Sequence, residues 1–583
     1  MKLFCLNPSP VLTHYNPLIR LSACWAIALL GIVSVPGFSQ QKRSDTESFG
    51  MRLRQLPTAK SAVYEPVYVA SAPSNEATMI RRQNGNLSIF YINRPGEADK
   101  LLSISSADGI QWTEPVVEFA LPGQAYYANR VLEDSQGVLH AIFHLWATGQ
   151  NGYRGRHLDV WYCQKSPSAT TWSQPRKILD GYVGSMRSFL QLRNGRMLMT
   201  FARANPERME KPVSGQTDYG WNDVVALYSD DNGQHWKPSG STVRVAIDNS
   251  MPVRYGGVEP NVIELADSRL WMLIRTNKGR LYESYSTDQG QTWSPAQPTR
   301  FISSDSPAEL LRLSDQRLLL FFNSNQRWDN PHSYAAGGRE VLHAAISRDD
   351  GKTWTGFREV LTMPSTQSAR NAKSDRGTAY ASAAETTDGN VALVAGQGEA
   401  RSIVLFNPNW LDQTKAADNF ANGLHQWTLY DADEFCQLTP LSPKQKVLQL
   451  TGSEAIWNFP ALASGGIKMD LKIPQNPTSV SLTLTDHFSI SSDSLAAQHG
   501  VVSFVVPPTV QTKTGKMAVE IRWDCKAGNA LLYVNNRLID QTSLRRKPDF
   551  GVNYLRIGPT KTGDVSSKLF LQSVSVIPNK ETN

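Results

Sequence analysis

A glutamate and an arginine at one end of a hairpin are the chemical pairing that stands out in this chain. Gly257-Val-Glu259-Pro260 runs through an apolar strand to a polar turn at Asp267-Ser268, and the return strand ends in Leu273-Ile-Arg275. Residues equidistant from a hairpin turn face one another. Centring on Asp267-Ser268 therefore sets Glu259 opposite Thr276 and beside Arg275. The same counting brings other groups to the corresponding ends of other hairpins: Asn75 with Arg94; Tyr126 and Tyr127 with Trp146; Arg187 with Arg203; Tyr380 with Gln397. Arg339 joins them from a long connection between two strands of a further unit. Arginine grips carboxylates in bidentate fashion and stays charged. A tyrosine deprotonated by a neighbouring glutamate is a nucleophile that carries no charge until it attacks, which suits a sugar with a carboxylate on its anomeric carbon. The set describes hydrolysis of a terminal acidic sugar.

Two interleaved repeats supply the elements that position these groups. One is an octapeptide, complete at Ser286-Thr-Asp288-Gln-Gly290-Gln-Thr292-Trp293 and Ser347-Arg-Asp349-Asp-Gly351-Lys-Thr353-Trp354. A third copy runs from Ser229 to Trp236 with His235 in the threonine place, and worn copies end at Trp112 and Thr171-Trp172. In the first worn copy the alignment puts Ser105 and Ala107 in the serine and aspartate places. Spacing of about 60 residues signals an array of like units. Serine and aspartate side chains cap backbone donors in a tight turn, glycine takes the left-handed position, and tryptophan fills the gap to a neighbour. The box is thus a staple, not a catalytic element. The second repeat is a hairpin, found six times, with turns such as Asn84-Gly85, Asn194-Gly195 and Asp388-Gly389 between apolar runs. Six units of four antiparallel strands make an all-β, six-bladed β-propeller over residues 62–411. Ala62–Ala70 supplies the outer strand of the sixth unit. Boxes follow third strands, so they fall on the face opposite the arginines.

Residues 1–40 contain Arg20, an apolar run from Leu21 to Val35 and small residues near Ser39. A run of about 15 residues is short for a membrane span and reads as a secretory signal, giving a secreted or periplasmic chain with no stable membrane association. Residues 41–61 form a polar linker. Beyond Asp412 the repeat stops, and alternating strands such as Lys468-Met-Asp-Leu-Lys-Ile make residues 412–583 a β-sandwich. A net charge of +7 over 583 residues without a basic run argues against nucleic acid. No Cys/His spacing suits a metal, and the chemistry needs no cofactor. Cys436 and Cys525 share the second domain and could pair. His140 and His144 share one strand face and, with Tyr126 or Tyr127, offer a second chemistry: a glycosidase or lyase acting on another polysaccharide. A non-catalytic carbohydrate-binding propeller is the third possibility.

The octapeptide resembles the Asp box (BNR repeat) of sialidase-like proteins, and residues 65–411 resemble the exo-α-sialidase family of glycoside hydrolases. Gly257-Val-Glu259-Pro260 followed by Leu273-Ile-Arg275 is similar to the element carrying the tyrosine activator and one carboxylate-binding arginine. Gly338-Arg339 is similar to the element carrying another arginine, and Ala379-Tyr380-Ala-Ser matches the place of the nucleophile. The resemblance implies that Tyr380 attacks, Glu259 activates it, and Arg275 and Arg339 hold the substrate carboxylate. The family's Phe/Tyr-Arg-Ile-Pro is absent, and Ser74-Asn75-Glu76-Ala77-Thr78 stands there, leaving Arg94 as the replacement for the first arginine. Asp99 is the nearest candidate for the acid, with Glu97 behind it. Arg187, Arg203 and Trp146 complete the expected substrate contacts. Trp523-Asp and Gly528-Asn-Ala-Leu-Leu-Tyr533 resemble the laminin-G/concanavalin-like sandwiches appended to secreted glycosidases.

Overall fold

The computed structural model describes residues 54–56, 63–93, 99–123, 125–146, 158–181, 183–204, 222–247, 255–328, 338–363, 377–429, 436–443, 445–473, 478–510, 515–560 and 568–579. The expected signal segment lies outside these residues. Everything described belongs to one compact unit within residues 43–583.

Strands between 63 and 406 form six antiparallel sheets. The first blade is Thr78–Arg81, Leu87–Ile92, Lys100–Ser106 and Val116–Ala120. The fourth is Val258–Glu264, Leu270–Arg275, Arg280–Ser286 and Gln297–Ile302. In the sixth, Ser382–Glu385, Val391–Ala395 and Ser402–Phe406 are completed by Val67–Ala70 from the start of the chain. The first strand of each sheet packs against the first strand of the next, and that of the sixth returns to that of the first. The ring is closed, with the first strands innermost. Such closure needs apolar faces on both sides of each blade, and the strands supply them: Leu318–Phe322 and Val391–Ala395 are buried throughout.

Each turn between first and second strands is one residue longer than a two-residue hairpin. In the fourth blade Leu265 N donates to Arg269 O and Ser268 N to Leu265 O, so three residues lie between the bonded pair. Ser268 takes the left-handed conformation at φ 68°, the three-residue loop in which a type I turn ends on a left-handed residue. Register therefore centres on Asp267, pairing Glu264 with Leu270, and the expected pairing of Glu259 with Thr276 does not form. Val258 faces Arg275 instead, because a bulge at Glu259-Pro260 moves the register again.

The boxes are staples in detail. Ser286 Oγ accepts from Gly290 N at 2.8 Å, while Asp288 Oδ1 accepts from Thr292 N at 2.8 Å. The first worn copy differs from its expected alignment: Ser106 and Asp108, not Ser105 and Ala107, cap Gly109 and Gln111. Trp354 packs between blades against Trp271 and Phe301. No box aspartate takes part in the buried polar cluster described below.

Part of the expected linker is structured. Arg54–Gln55 adds a parallel strand outside Val67–Ala70, satisfying an edge that otherwise exposes its backbone donors and acceptors. The C-terminal region forms two antiparallel sheets, of eight and five strands, around one apolar core that includes Trp427, Trp457 and Trp523. Cys436 and Cys525 are buried thiols and not a disulfide. Cys436 opens one strand of the larger sheet and Cys525 directly follows another four places away, roughly 19 Å at the usual ~4.8 Å strand spacing, far beyond disulfide reach. The sandwich packs on blades four and five. Phe550 stacks between Phe301 and Phe357, and Asn458 accepts from Arg358.

Candidate active site

The innermost strands carry irregularities that turn polar side chains toward the axis. Glu76, Glu259 and Tyr380, from the first, fourth and sixth blades, all have positive φ, at 52°, 49° and 65°. Non-glycine residues seldom adopt this conformation, and it costs energy that the surrounding structure must overcome. In the third blade a register shift between Met186 and Ser188 leaves Arg187 unpaired on the strand.

These devices bring five of the expected site residues together. Tyr380 Oη donates to Glu259 Oε1 at 2.9 Å. Arg275 Nη1 donates to Glu259 Oε2 at 2.5 Å and reaches Tyr380 Oη at 3.2 Å. Arg339 and Arg187 carry their guanidiniums over the Tyr380 ring, at 5.3 and 5.5 Å from its centroid. Arg339 Nη1 donates to Gln397 Oε1 at 2.9 Å, and Arg339 O accepts from Thr378 N. Gly377 allows this approach: a Cβ there would lie 2.5 Å from Arg339 Cβ. The sandwich also touches the connection that carries Arg339, since Asp493 accepts from Trp328 N and Phe488 exchanges backbone bonds with Ser324 and Gln326.

The electrostatics divide the pair. Burial opposes charge on Glu259, but the guanidiniums of Arg275, Arg339 and Arg187 outweigh it and hold its pKa below the ordinary value. Burial and the charge of Glu259 raise Tyr380 well above 10, against Arg275 and Arg339. At rest the tyrosine is neutral and the glutamate ionised, the arrangement of an unactivated nucleophile beside its base.

The funnel is not the arginine-rich site with a single glutamate that the sequence suggested. Glu76, Asp305 and Glu309 join it, and so does Arg130. Glu309 accepts from Arg187 Nη2 at 3.2 Å and from Asn261 Nδ2 at 3.0 Å. Arg130 Nε donates to Arg187 O at 3.0 Å. Its pKa is lowered to about 9 by burial and by Arg187, partly offset by Glu309, Glu76 and Glu259. Asp305 accepts from Arg275 Nε at 2.8 Å and from the Tyr255 hydroxyl. Four guanidiniums thus meet four carboxylates among the described residues of the cluster. Glu76 stands in the stretch where the family's first arginine was sought, buried and close enough to raise the pKa of Tyr380.

Other expected residues lie elsewhere. Arg203 faces Val183 at a strand end and is exposed, apart from the cluster, because the bulges around Met186 shift the hairpin. Asp99 is exposed and held by Asn93 Nδ2 at 2.9 Å. Asn75 accepts from Gly398 N, at the junction of the sixth and first blades. Arg94 and Glu97 lie outside the described residues, as do the side chains of Tyr126, Tyr127 and Trp146. His140 and His144 are fully buried within the second blade. His140 bonds Asp134 at 3.0 Å and Tyr162 at 2.7 Å, and burial lowers the pKa of His144 to about 3. Neither bonds to a residue of the cluster among the described hydrogen bonds, and burial holds both imidazoles toward the neutral form. No group of metal-ligating side chains occurs among the described residues.

A family model for the BNR repeat-like domain matches residues 124–393. The matched stretch contains Arg130, Arg187, Glu259, Arg275, Asp305, Glu309, Arg339 and Tyr380, while Gln397 lies just past its end and Glu76 well before its start. No curated protein matches the chain. Among solved structures, the chain is similar to a protein of unknown function from Dyadobacter fermentans at 17% identity, covering 59% of this chain and 97% of that one with a TM-score of 0.43. It is similar to Trypanosoma rangeli sialidase at 13% identity, covering 88% and 92% with a TM-score of 0.40. It is similar also to the NanB sialidase of Streptococcus pneumoniae at 14% identity, covering 58% and 70% with a TM-score of 0.38.

Proposed function

We propose that this protein is a secreted glycoside hydrolase of sialidase type, releasing a terminal acidic sugar with retained anomeric configuration. One observation carries the reading: the Tyr380 hydroxyl lies 2.9 Å from Glu259 inside a ring of guanidiniums. Tyr380 Oη attacks the anomeric carbon as its proton passes to Glu259 Oε1. The raised pKa of Tyr380 keeps that proton in place until the carbon–oxygen bond forms. An acid at the rim, with Asp99 as the candidate, protonates the leaving oxygen. Water then attacks the anomeric carbon, passing its proton to the conjugate base of the rim acid, while the tyrosyl oxygen leaves and takes back its proton from Glu259. Arg275 and Arg339 hold the substrate carboxylate, Arg94 and Trp146 extend the binding surface, and Arg187 supports the tyrosine ring from below. The sandwich serves as an accessory domain and steadies the connection leading to Arg339.

The test is a screen of the whole chain against sialosides, other keto-acid glycosides and uronic-acid polysaccharides, with NMR of the first product formed. The reading expects released sugar of retained configuration. An inverted product would contradict it, an absorbance rise from unsaturated sugar would indicate a lyase, and binding without turnover a non-catalytic propeller.

A further inference from the structure

The carboxylate of Asp305 occupies Arg275, and its backbone carbonyl occupies Arg339, the two arginines that would hold a substrate anion. Asp305 lies in the connection from the fourth blade to the fifth, a loop with no sequence motif. Its Oδ1 accepts from Arg275 Nε at 2.8 Å and from the Tyr255 hydroxyl, and its carbonyl oxygen accepts from Arg339 Nη2 at 3.1 Å. The loop is pinned to the Arg339 connection: Ser304 Oγ donates to Gly338 O, and Ser304 N to Asn323 O. The side chain is only 15% exposed.

We propose that Asp305 is the resident occupant of an anion point formed by Arg275 and Arg339, so that an acidic sugar must displace it and a neutral one need not. The proposal rests on the reading above, in which these two arginines hold the substrate carboxylate. The groups facing Asp305 are Arg275 and Tyr255 from the fourth blade and its approach, and Arg339 from the fifth; Glu259 lies across Arg275. Two carboxylates cannot share one guanidinium edge without repulsion, so the aspartate competes directly with an incoming anion. Burial lifts its pKa to about 7 against the pull of Arg339, so near neutrality the site yields its charge at little cost. Asp305 thereby sets the preference between charged and neutral sugars.

Calorimetric titration of the full chain with N-acetylneuraminic acid and with its uncharged methyl ester tests this. In Asp305→Asn the amide keeps an acceptor for Arg275 and Tyr255 but loses the charge. At pH 8.5, where the parent's Asp305 carries its charge, affinity for the acid is expected to rise tenfold or more relative to the parent, with affinity for the ester unchanged. Asp305→Ser serves as a second variant if the amide destabilises the loop. An unchanged acid-to-ester ratio, weaker acid binding, or no acid binding by either protein would overturn the proposal. So would a loss of turnover confined to poor leaving groups, which would make Asp305 the general acid. Retained Tyr380-dependent turnover on any glycoside beside an unchanged ratio would sink this inference alone and leave the proposed reaction standing.

Discussion

Tyr380→Phe is expected to lower turnover by several orders of magnitude while leaving the fold nearly intact. The substitution removes one oxygen and keeps the ring between the guanidiniums of Arg187 and Arg339. Glu259→Gln keeps the size but removes the base and leaves Arg275 without one of its two carboxylates. Attack requires the tyrosine to lose its proton to that glutamate, so the two side chains act as one unit. Effects within one catalytic unit do not add. The double variant should therefore lose little more than either single change. Single-turnover kinetics of the four proteins on a sialoside cleaved by the parent checks this. Additive losses would mean that Tyr380 and Glu259 serve different steps.

Arg187→Met should be the most damaging change for stability. The Arg187 guanidinium is buried, pairs with Glu309 and lies over Tyr380. Methionine keeps much of the volume but leaves Glu309 with less compensation. Removing one partner of a buried ion pair costs about 3–5 kcal/mol. Burial already raises the pKa of Glu309, and Arg187 is the leading group opposing that rise. Without Arg187 the folded carboxyl takes up a proton that the unfolded one does not hold at neutral pH. A folded pKa above the unfolded value gives stability that is present at low pH and lost as pH rises through the folded pKa. The deficit should therefore be smallest near pH 4 and grow toward pH 8 in urea unfolding. Adding Glu309→Gln should recover part of the loss at pH 8. A deficit independent of pH would place the damage in packing alone.

The parts of the site legible in the sequence are those fixed by repeating elements. Hairpins at regular spacing set which strand ends share a face, and Glu259, Arg275, Arg339 and Tyr380 come together accordingly. Counting along ideal hairpins failed where the backbone departs from them. The three-residue turns and the bulge at Glu259-Pro260 shift register without changing which end a residue occupies, so Glu259 still meets Arg275 through its side chain. The shifts around Met186 separate Arg187 from Arg203, turning one to the axis and leaving the other exposed. Asp305 escaped notice because a blade-to-blade connection has no period to read, and Glu309 because it opens the fifth blade's innermost strand directly after that connection. Glu76 was visible only as a gap in a motif, although a buried acid there changes the charge of the pocket. The second fold element followed from strand alternation. Its thiols did not pair because sequence carries no signal for strand order across a sheet.

The central claim is that Tyr380 forms a bond to the sugar. A 2,3-difluorinated sialic acid slows breakdown of such an intermediate, because fluorine beside the anomeric carbon destabilises the cationic transition state. Incubation of the full chain with this reagent, followed by proteolysis and mass spectrometry, reads the attachment site directly. The account predicts one sugar adduct per chain on the peptide containing Tyr380, absent in Tyr380→Phe. An adduct on Asp99, Glu259 or Asp305, or none from a chain that turns over sialosides, would contradict it.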